Sequence, residues 1–236
     1  MKLKQFYPNS IPPEAVCVFV GPRGSGKSVA MANVMYAKRK YFSAGIVMSA
    51  TEDGNNYWSR FVNQNFIYTE FRPNELRDLY DAQRDRVKTW TKKSPPNIFC
   101  VAEDVIYDKT LRTDKTIRQI FFNGRHFNWF MMMSIQYAKS IPPDYRANIN
   151  VLFVFGEDSH IERRKLYESF FGFIDTYQLF SDILNETTQN YGVLVLDRNI
   201  KSNKPDDKLF QWKADPNIVF RAGDAKFQRY GTNTDY

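Results

Sequence analysis

Cysteine is scarce in this chain: two in 236 residues, Cys17 and Cys100, each inside an apolar run, AVCVFV and IFCVA. They read as buried small hydrophobes of a reducing, intracellular compartment, not as metal ligands. Long apolar runs are missing too. No stretch approaches the ~20 apolar residues of a membrane-spanning helix, and the leading MKLKQFYPNSIPPE has no apolar core of signal-peptide length. A soluble chain without a transmembrane segment is expected. No repeat period, low-complexity tract or Gly-, Ser- or Pro-rich linker divides the sequence. One domain over residues 1–236 is therefore expected, with a core at about 15–200 and a carboxyl-terminal extension at about 201–236.

The composition, 43% hydrophobic, 16% aromatic and 25% charged, excludes a disordered chain. Lys and Arg number 33 against 26 Asp and Glu, a formal charge of +7. That excess favours polyanionic partners, nucleic acid among them, and equally suits scattered solvated side chains. The clusters Lys38-Arg39-Lys40 and Arg163-Arg164-Lys165 read as readily as solvated helix faces as they do as DNA contacts.

Short apolar runs recur at 15–20, 45–49, 98–102, 129–135, 151–155 and 191–196. Being continuous rather than alternating, they predict strands buried on both faces, as in a parallel sheet. Helical spacing lies between them. Pro73 opens a segment with Leu76, Leu79, Tyr80, Val87 and Trp90 on one face; Ile117, Ile120 and Phe121 repeat the pattern before Gly124, a candidate stop; Ser159 and Glu162 form a capping-box signature. The alternation predicts an α/β fold, a mostly parallel central sheet flanked by helices on both faces.

Residues 21–28, GPRGSGKS, match G-x-x-x-x-G-K-[ST] between an apolar strand and the helical VAMANVMYAKRK. Glycines allow successive amides to point inward, and a helix amino terminus adds its positive dipole end, so a polyphosphate is held without one counter-charge per oxygen. The candidate nucleotide-binding residues are Gly21, Pro22, Arg23, Gly24, Ser25, Gly26, Lys27, Ser28 and, opening the helix, Val29. Lys27 is expected to reach the β and γ oxygens and Ser28 to ligate Mg2+. The strand at 97–102 ends in Glu103-Asp104, where one carboxylate steadies the magnesium shell and the next polarises the attacking water. Gln136 follows the strand WFMMMSI, where a neutral amide contacts water and γ-phosphate. Arg125, His126 and Arg146 are candidates for contacting a nucleotide, with an arginine supplied across a subunit boundary as the catalytic form of such a contact. ATP is favoured over GTP: Asn203-Lys204-Pro205-Asp206 spells a guanine-reading tetrad but lies in a polar turn, and Glu103-Asp104-Val105-Ile106 is not Asp-x-x-Gly.

FVGPRGSGKS, IFCVAED, NGRHFNWFMMMSIQY, IPPDYRANIN and YGVLVLD, taken together over about residues 15–200, resemble the FtsK/HerA superfamily. The resemblance is to the genome-packaging ATPases of poxviruses, other large DNA viruses and virophages. It implies a RecA-like P-loop NTPase sheet, a homo-oligomeric ring, hexamer or pentamer, around double-stranded DNA, and ATP hydrolysis coupled to filling a preformed capsid. It implies a capsid or membrane component of the virion as partner, and location in the host-cell cytoplasm (viral factory) or the virion. By the same resemblance Lys27 and Ser28 serve nucleotide and Mg2+, Glu103 takes the magnesium-acid position, Asp104 activates water, Gln136 is the sensor and Arg146 the finger into a neighbour's site. The superfamily usually places Asp before Glu; the order here is reversed, which leaves open which acid does which job. Two other classes share the phosphate loop: a nucleoside or nucleotide kinase, and a nucleotide-gated assembly scaffold with weak hydrolysis.

Overall fold

The computed structural model describes residues 3–92, 94–105, 109–202 and 204–231. The strands are β1 (Lys4–Gln5), β2 (Val16–Val20), β3 (Phe42–Ser49), β4 (Ile67–Tyr68), β5 (Asn97–Glu103), β6 (Trp129–Ile135), β7 (Val151–Val154), β8 (Gly192–Asp197) and β9 (Leu209–Lys213). The helices are α1 (Lys27–Lys38), α2 (Glu52–Asn55), α3 (Pro73–Thr89), α4 (Lys109–Thr113), α5 (Lys115–Asn123), α6 (Pro143–Arg146), α7 (His160–Leu166), α8 (Tyr177–Thr187), α9 (Pro205–Lys208) and α10 (Ala225–Arg229).

One sheet holds the strands in the order β1-β9-β8-β7-β2-β6-β5-β3-β4. Every pairing is parallel except those of β8, which runs antiparallel to β7 and β9. The strand leading into the glycine loop, β2, is central, and β6 separates it from the acid-bearing β5. All five residues of β2 are buried. Val16, Val18 and Val20 join one core, with Leu76 of α3, Ile117 and Ile120 of α5 and Phe180 of α8; Cys17 and Phe19 join the other, with Met31 and Val34 of α1. Alternate side chains of one apolar run thus feed two cores, which is why the run is continuous and helices cover both faces.

The six expected strands all form, but a strand covered on both faces reads the same in either direction, so nothing in GVLVLD announced that β8 is antiparallel. The sheet also continues beyond residue 200, where the core was expected to end: β9 pairs with β8 on one side and β1 on the other. The two-residue β1 and β4 are too short for any periodicity to register. α5 ends at Gly124 as expected, its carboxyl cap at φ −53°, and the chain continues through a 3-10 turn, Gly124–Phe127, to a left-handed Asn128 at φ 55°. The basic clusters are not uniformly solvated. Lys38 is buried with Nζ donating to Asn9 O at 2.8 Å, and Arg163 is buried on Glu157 O and Ser181 Oγ.

Candidate active site

The carboxyl ends of the parallel strands share one edge of the sheet, and there the loop Gly21–Ser28 leaves β2. Gly24 and Gly26 take φ of 78° and 97°, the left-handed region that glycine enters without a Cβ penalty. A methyl on Gly21 would stand 2.7 Å from Phe155 Cβ. Gly26 caps α1 with no side-chain hydrogen bond, so the first-turn amides keep their donors for whatever enters the loop. Ser25 Oγ is buried with no partner among the described residues. Lys27 Nζ, also buried, donates to the carbonyls of Gly21 and Pro22 at 3.0 and 2.9 Å. Burial pushes the Lys27 ammonium below the usual lysine range, against the pull of Asp104 and then Glu103.

β5 delivers the acids to the same edge. Ser28 Oγ donates to Glu103 Oε1, a contact across 75 residues of sequence, while Ser49 Oγ and Trp58 Nε1 donate to Oε2 at 2.9 and 2.5 Å. Glu103 is 2% exposed, so three donors fix a carboxylate that has little access to water. Trp58 is held in turn by Glu52, which accepts from the Trp58 and Ser59 amides at 2.8 and 2.9 Å. Asp104 differs. It is half-buried at φ 50°, its amide donates to Ser134 Oγ at 3.0 Å, and that hydroxyl reaches Asp104 Oδ1 at 3.3 Å.

Gln136 follows β6 at the same edge, beside the loop: β2 and β6 pair Val20 with Ile135, and the Gly21 amide donates to Ile135 O at 3.2 Å. The structure therefore gathers the phosphate-loop residues, Glu103, Asp104 and Gln136. It does not gather the candidate arginines. Arg125 and His126 precede β6, and Arg146 precedes β7, at the opposite, amino edge of a parallel sheet. Arg125 and Arg198 line one cavity there, of about 240 Å³, with Glu14 and Asn148. As contacts to a nucleotide in their own chain, Arg125, His126 and Arg146 are thus ruled out by strand direction. Arg146 is anchored by Ile141 O at 2.9 Å and Ser169 Oγ at 3.2 Å, and burial lowers its pKa from the ordinary arginine value. Of the tetrad, Lys204 caps the short α9, whereas Asn203 lies outside the described residues, as does Ile106. Ser49, Trp58 and Ser134 were missed from sequence. The serines had a signal, a hydroxyl closing an otherwise apolar strand; Trp58 had none, because its role depends on the fold of the loop after β3.

Over residues 4–226 the sequence matches the family described as Poxvirus A32 protein. The chain belongs to the poxvirus A32 family. That agrees with the resemblance to viral packaging ATPases carried by the motifs. Relatives of this A32 family chain include Uncharacterized protein 088R of Invertebrate iridescent virus 3, 29% identical over 199 residues, 83% of this chain and 74% of that protein. Another is Uncharacterized protein L437 of Acanthamoeba polyphaga mimivirus, 27% identical over 220 residues, 90% of this chain and 77% of that one. Among solved structures, the genome packaging NTPase B204 from Sulfolobus turreted icosahedral virus 2, in complex with ATP-gammaS, superposes with a TM-score of 0.60 at 15% identity, covering 88% of this chain and 100% of that one. The pCW3 conjugation coupling protein TcpA, with ATPgS, gives 0.52 at 14% identity over 86% of this chain and 60% of that one. At such identities the likeness speaks to the fold alone.

Proposed function

We propose that this chain is an ATPase, a single P-loop domain that drives double-stranded DNA into a preformed viral capsid. The observation that carries the reading is the contact of Ser28 with Glu103 beneath a glycine loop whose helix has no side-chain cap and whose lysine folds back on the Gly21 and Pro22 carbonyls. The family membership and the packaging NTPase among its structural neighbours support the same reading.

The residues fit a magnesium-bound triphosphate: a left-handed glycine cradle, unpaired first-turn amides, and a hydroxyl and carboxylate already in contact, the hard oxygen donors that magnesium takes. When bound, magnesium neutralises charge building on the β and γ oxygens. Ser28 and Glu103 would hold it. Lys27 exchanges the Gly21 and Pro22 carbonyls for phosphate oxygens. Asp104, steadied by Ser134, takes the proton of a water that bonds to the γ-phosphorus in line with the departing diphosphate, and Gln136 holds that water against the γ-phosphate. Arg146, a strand's length from its own loop, serves a neighbouring subunit, which requires an oligomer; by the family resemblance that is a ring, pentamer or hexamer. DNA is held by its phosphates without regard to sequence, so binding weakens with salt. The motor works in the host-cell cytoplasm or at the virion, against a capsid or membrane component. Among the described residues no helix is long and apolar enough to cross a membrane.

The deciding measurement is ATP turnover with and without double-stranded DNA. Stimulation by DNA supports the motor. Dependence on a small phosphate acceptor assigns a kinase instead, and negligible turnover under both conditions assigns a scaffold.

A further inference from the structure

The phosphate loop has a second wall that the sequence motifs did not account for. A cavity of about 380 Å³ opens against Gly24, Ser25 and Gly26, and Val29, Phe155, Tyr191, Val193 and Pro216 give it a mostly apolar lining, with Lys213 the charged residue among those that line it. It is built from the P-loop, the end of β7 and the β8–β9 pair, on the side of the loop away from Glu103.

Tyr191 at its rim is held in an unusual way. Asn190 and Tyr191 take φ of 52° and 61°, two consecutive left-handed residues without glycine's freedom. The turn from α8 into β8 imposes this: a methyl on Gly192 would stand 2.1 Å from Thr187 O, so the backbone is jammed against the helix end just where Tyr191 leaves it. The ring is delivered to the loop. A methyl on Gly26 would lie 3.8 Å from Tyr191 Cδ1 and 3.9 Å from Phe155 Cε1. Yet Tyr191 is 71% exposed, and among the described residues no other ring stacks on it. Strain that presents an open aromatic face beside a phosphate cradle is what a stacking platform requires.

We propose that this cavity seats the nucleoside of the triphosphate, that Tyr191 stacks on its base, and that the site discriminates little between adenine and guanine. The inference rests on the P-loop reading and adds a specificity to it. Every base has a face to stack on, so stacking is tolerant of sequence. A pocket rejects the wrong base strongly only when its buried polar groups are left unpaired, and the lining here is apolar apart from the loop itself and Lys213, whose ammonium serves a guanine carbonyl at least as well as anything adenine offers in its place.

Three kinetic comparisons on the full chain test it. Tyr191→Ala is expected to raise KM for ATP by about tenfold with kcat little changed, and Tyr191→Phe to restore it, as for a contact equal in ground and transition states. In the wild type, kcat/KM for GTP is expected within about tenfold of that for ATP. Inorganic tripolyphosphate, which has no base, is expected to inhibit wild type and Tyr191→Ala equally. An unchanged KM in Tyr191→Ala overturns the base site, and an ATP preference beyond about tenfold overturns its tolerance of either purine, each leaving the phosphate loop standing. Failure of tripolyphosphate to compete in the wild type removes the loop itself.

Discussion

At the scale of single residues, the two acids divide by environment. Glu103 is 2% exposed and receives Ser28, Ser49 and Trp58, which fix its carboxylate as the proposed magnesium ligand would need. Asp104 keeps partial exposure and one hydroxyl partner, as a group that must accept a proton needs. Its backbone at φ 50° is one that Asp adopts more readily than Glu, a physical reason for the short acid to stand second here. Asp104→Asn is therefore expected to bind ATP but lose roughly a hundredfold or more in hydrolysis, and Glu103→Gln to lose magnesium-dependent binding itself. Nucleotide retention by filter binding beside single-turnover hydrolysis separates them; retention confined to Glu103→Gln reverses the roles. Lys27→Ala should reduce turnover to background, and undiminished hydrolysis in that variant would remove the site. Among the described residues the Ser134 hydroxyl hydrogen-bonds Asp104, so Ser134→Ala should lower kcat by about tenfold and leave KM for ATP in place, as for a residue that positions a catalytic group. An equal rise in KM would mark it as structural.

At the scale of elements, what could be read in advance is what periodicity and chemistry each impose locally. Six strands were visible because each is buried on both faces and so is continuously apolar, and the phosphate loop because its glycines are demanded by backbone conformation. Direction and pairing were not visible: β8 pairs antiparallel through contacts far away in sequence, and β1 and β4 exist only because a neighbouring edge receives them. The same holds for the carboxyl-terminal α10, where Ala225–Arg229 has no local reason to dock. Asn63 supplies the reason. Its Nδ2 donates to the carbonyls of Phe227, Gln228 and Tyr230 at 3.1, 3.0 and 2.9 Å, and Phe66 stacks on Phe227 with centroids 4.4 Å apart. Asn63 is buried, so Asn63→Ala takes a donor from each of three carbonyls, of which Tyr230 O keeps Asn65 Nδ2 and Phe227 O keeps the Tyr230 amide, and should cost about 1–3 kcal/mol, read as a lowered urea midpoint. Faster proteolysis confined to the segment after residue 220 should accompany it; a uniform loss of protection would mean that α10 is not a separate latch.

At the scale of the whole molecule, the sheet has two chemically distinct edges. The carboxyl edge holds the glycine loop, both acids and Gln136; the amino edge holds Arg125, Arg146 and Arg198, with Arg198 Nη1 donating to Arg146 O. β2 and β7 run parallel from Cys17–Val151 to Val20–Val154, and Arg146 precedes that pairing while the loop follows it. At about 3.3 Å per residue the strands alone separate them by more than a side chain spans. An arginine so placed is useless to its own nucleotide and available to another's, which makes activity a property of an assembly if Arg146 is the finger. Arg146→Ala and Lys27→Ala should then each be inactive alone, while a mixture places an intact loop against an intact finger at about a quarter of the interfaces when assembly is random and head-to-tail. Recovered hydrolysis, greatest near equal proportions and accompanied by mixed assemblies in native mass spectra, is the expected result. Mixed assemblies that form and stay inactive at every ratio would show that Arg146 acts by holding Ile141 and Ser169 in place, and the finger would have to be sought elsewhere on that edge.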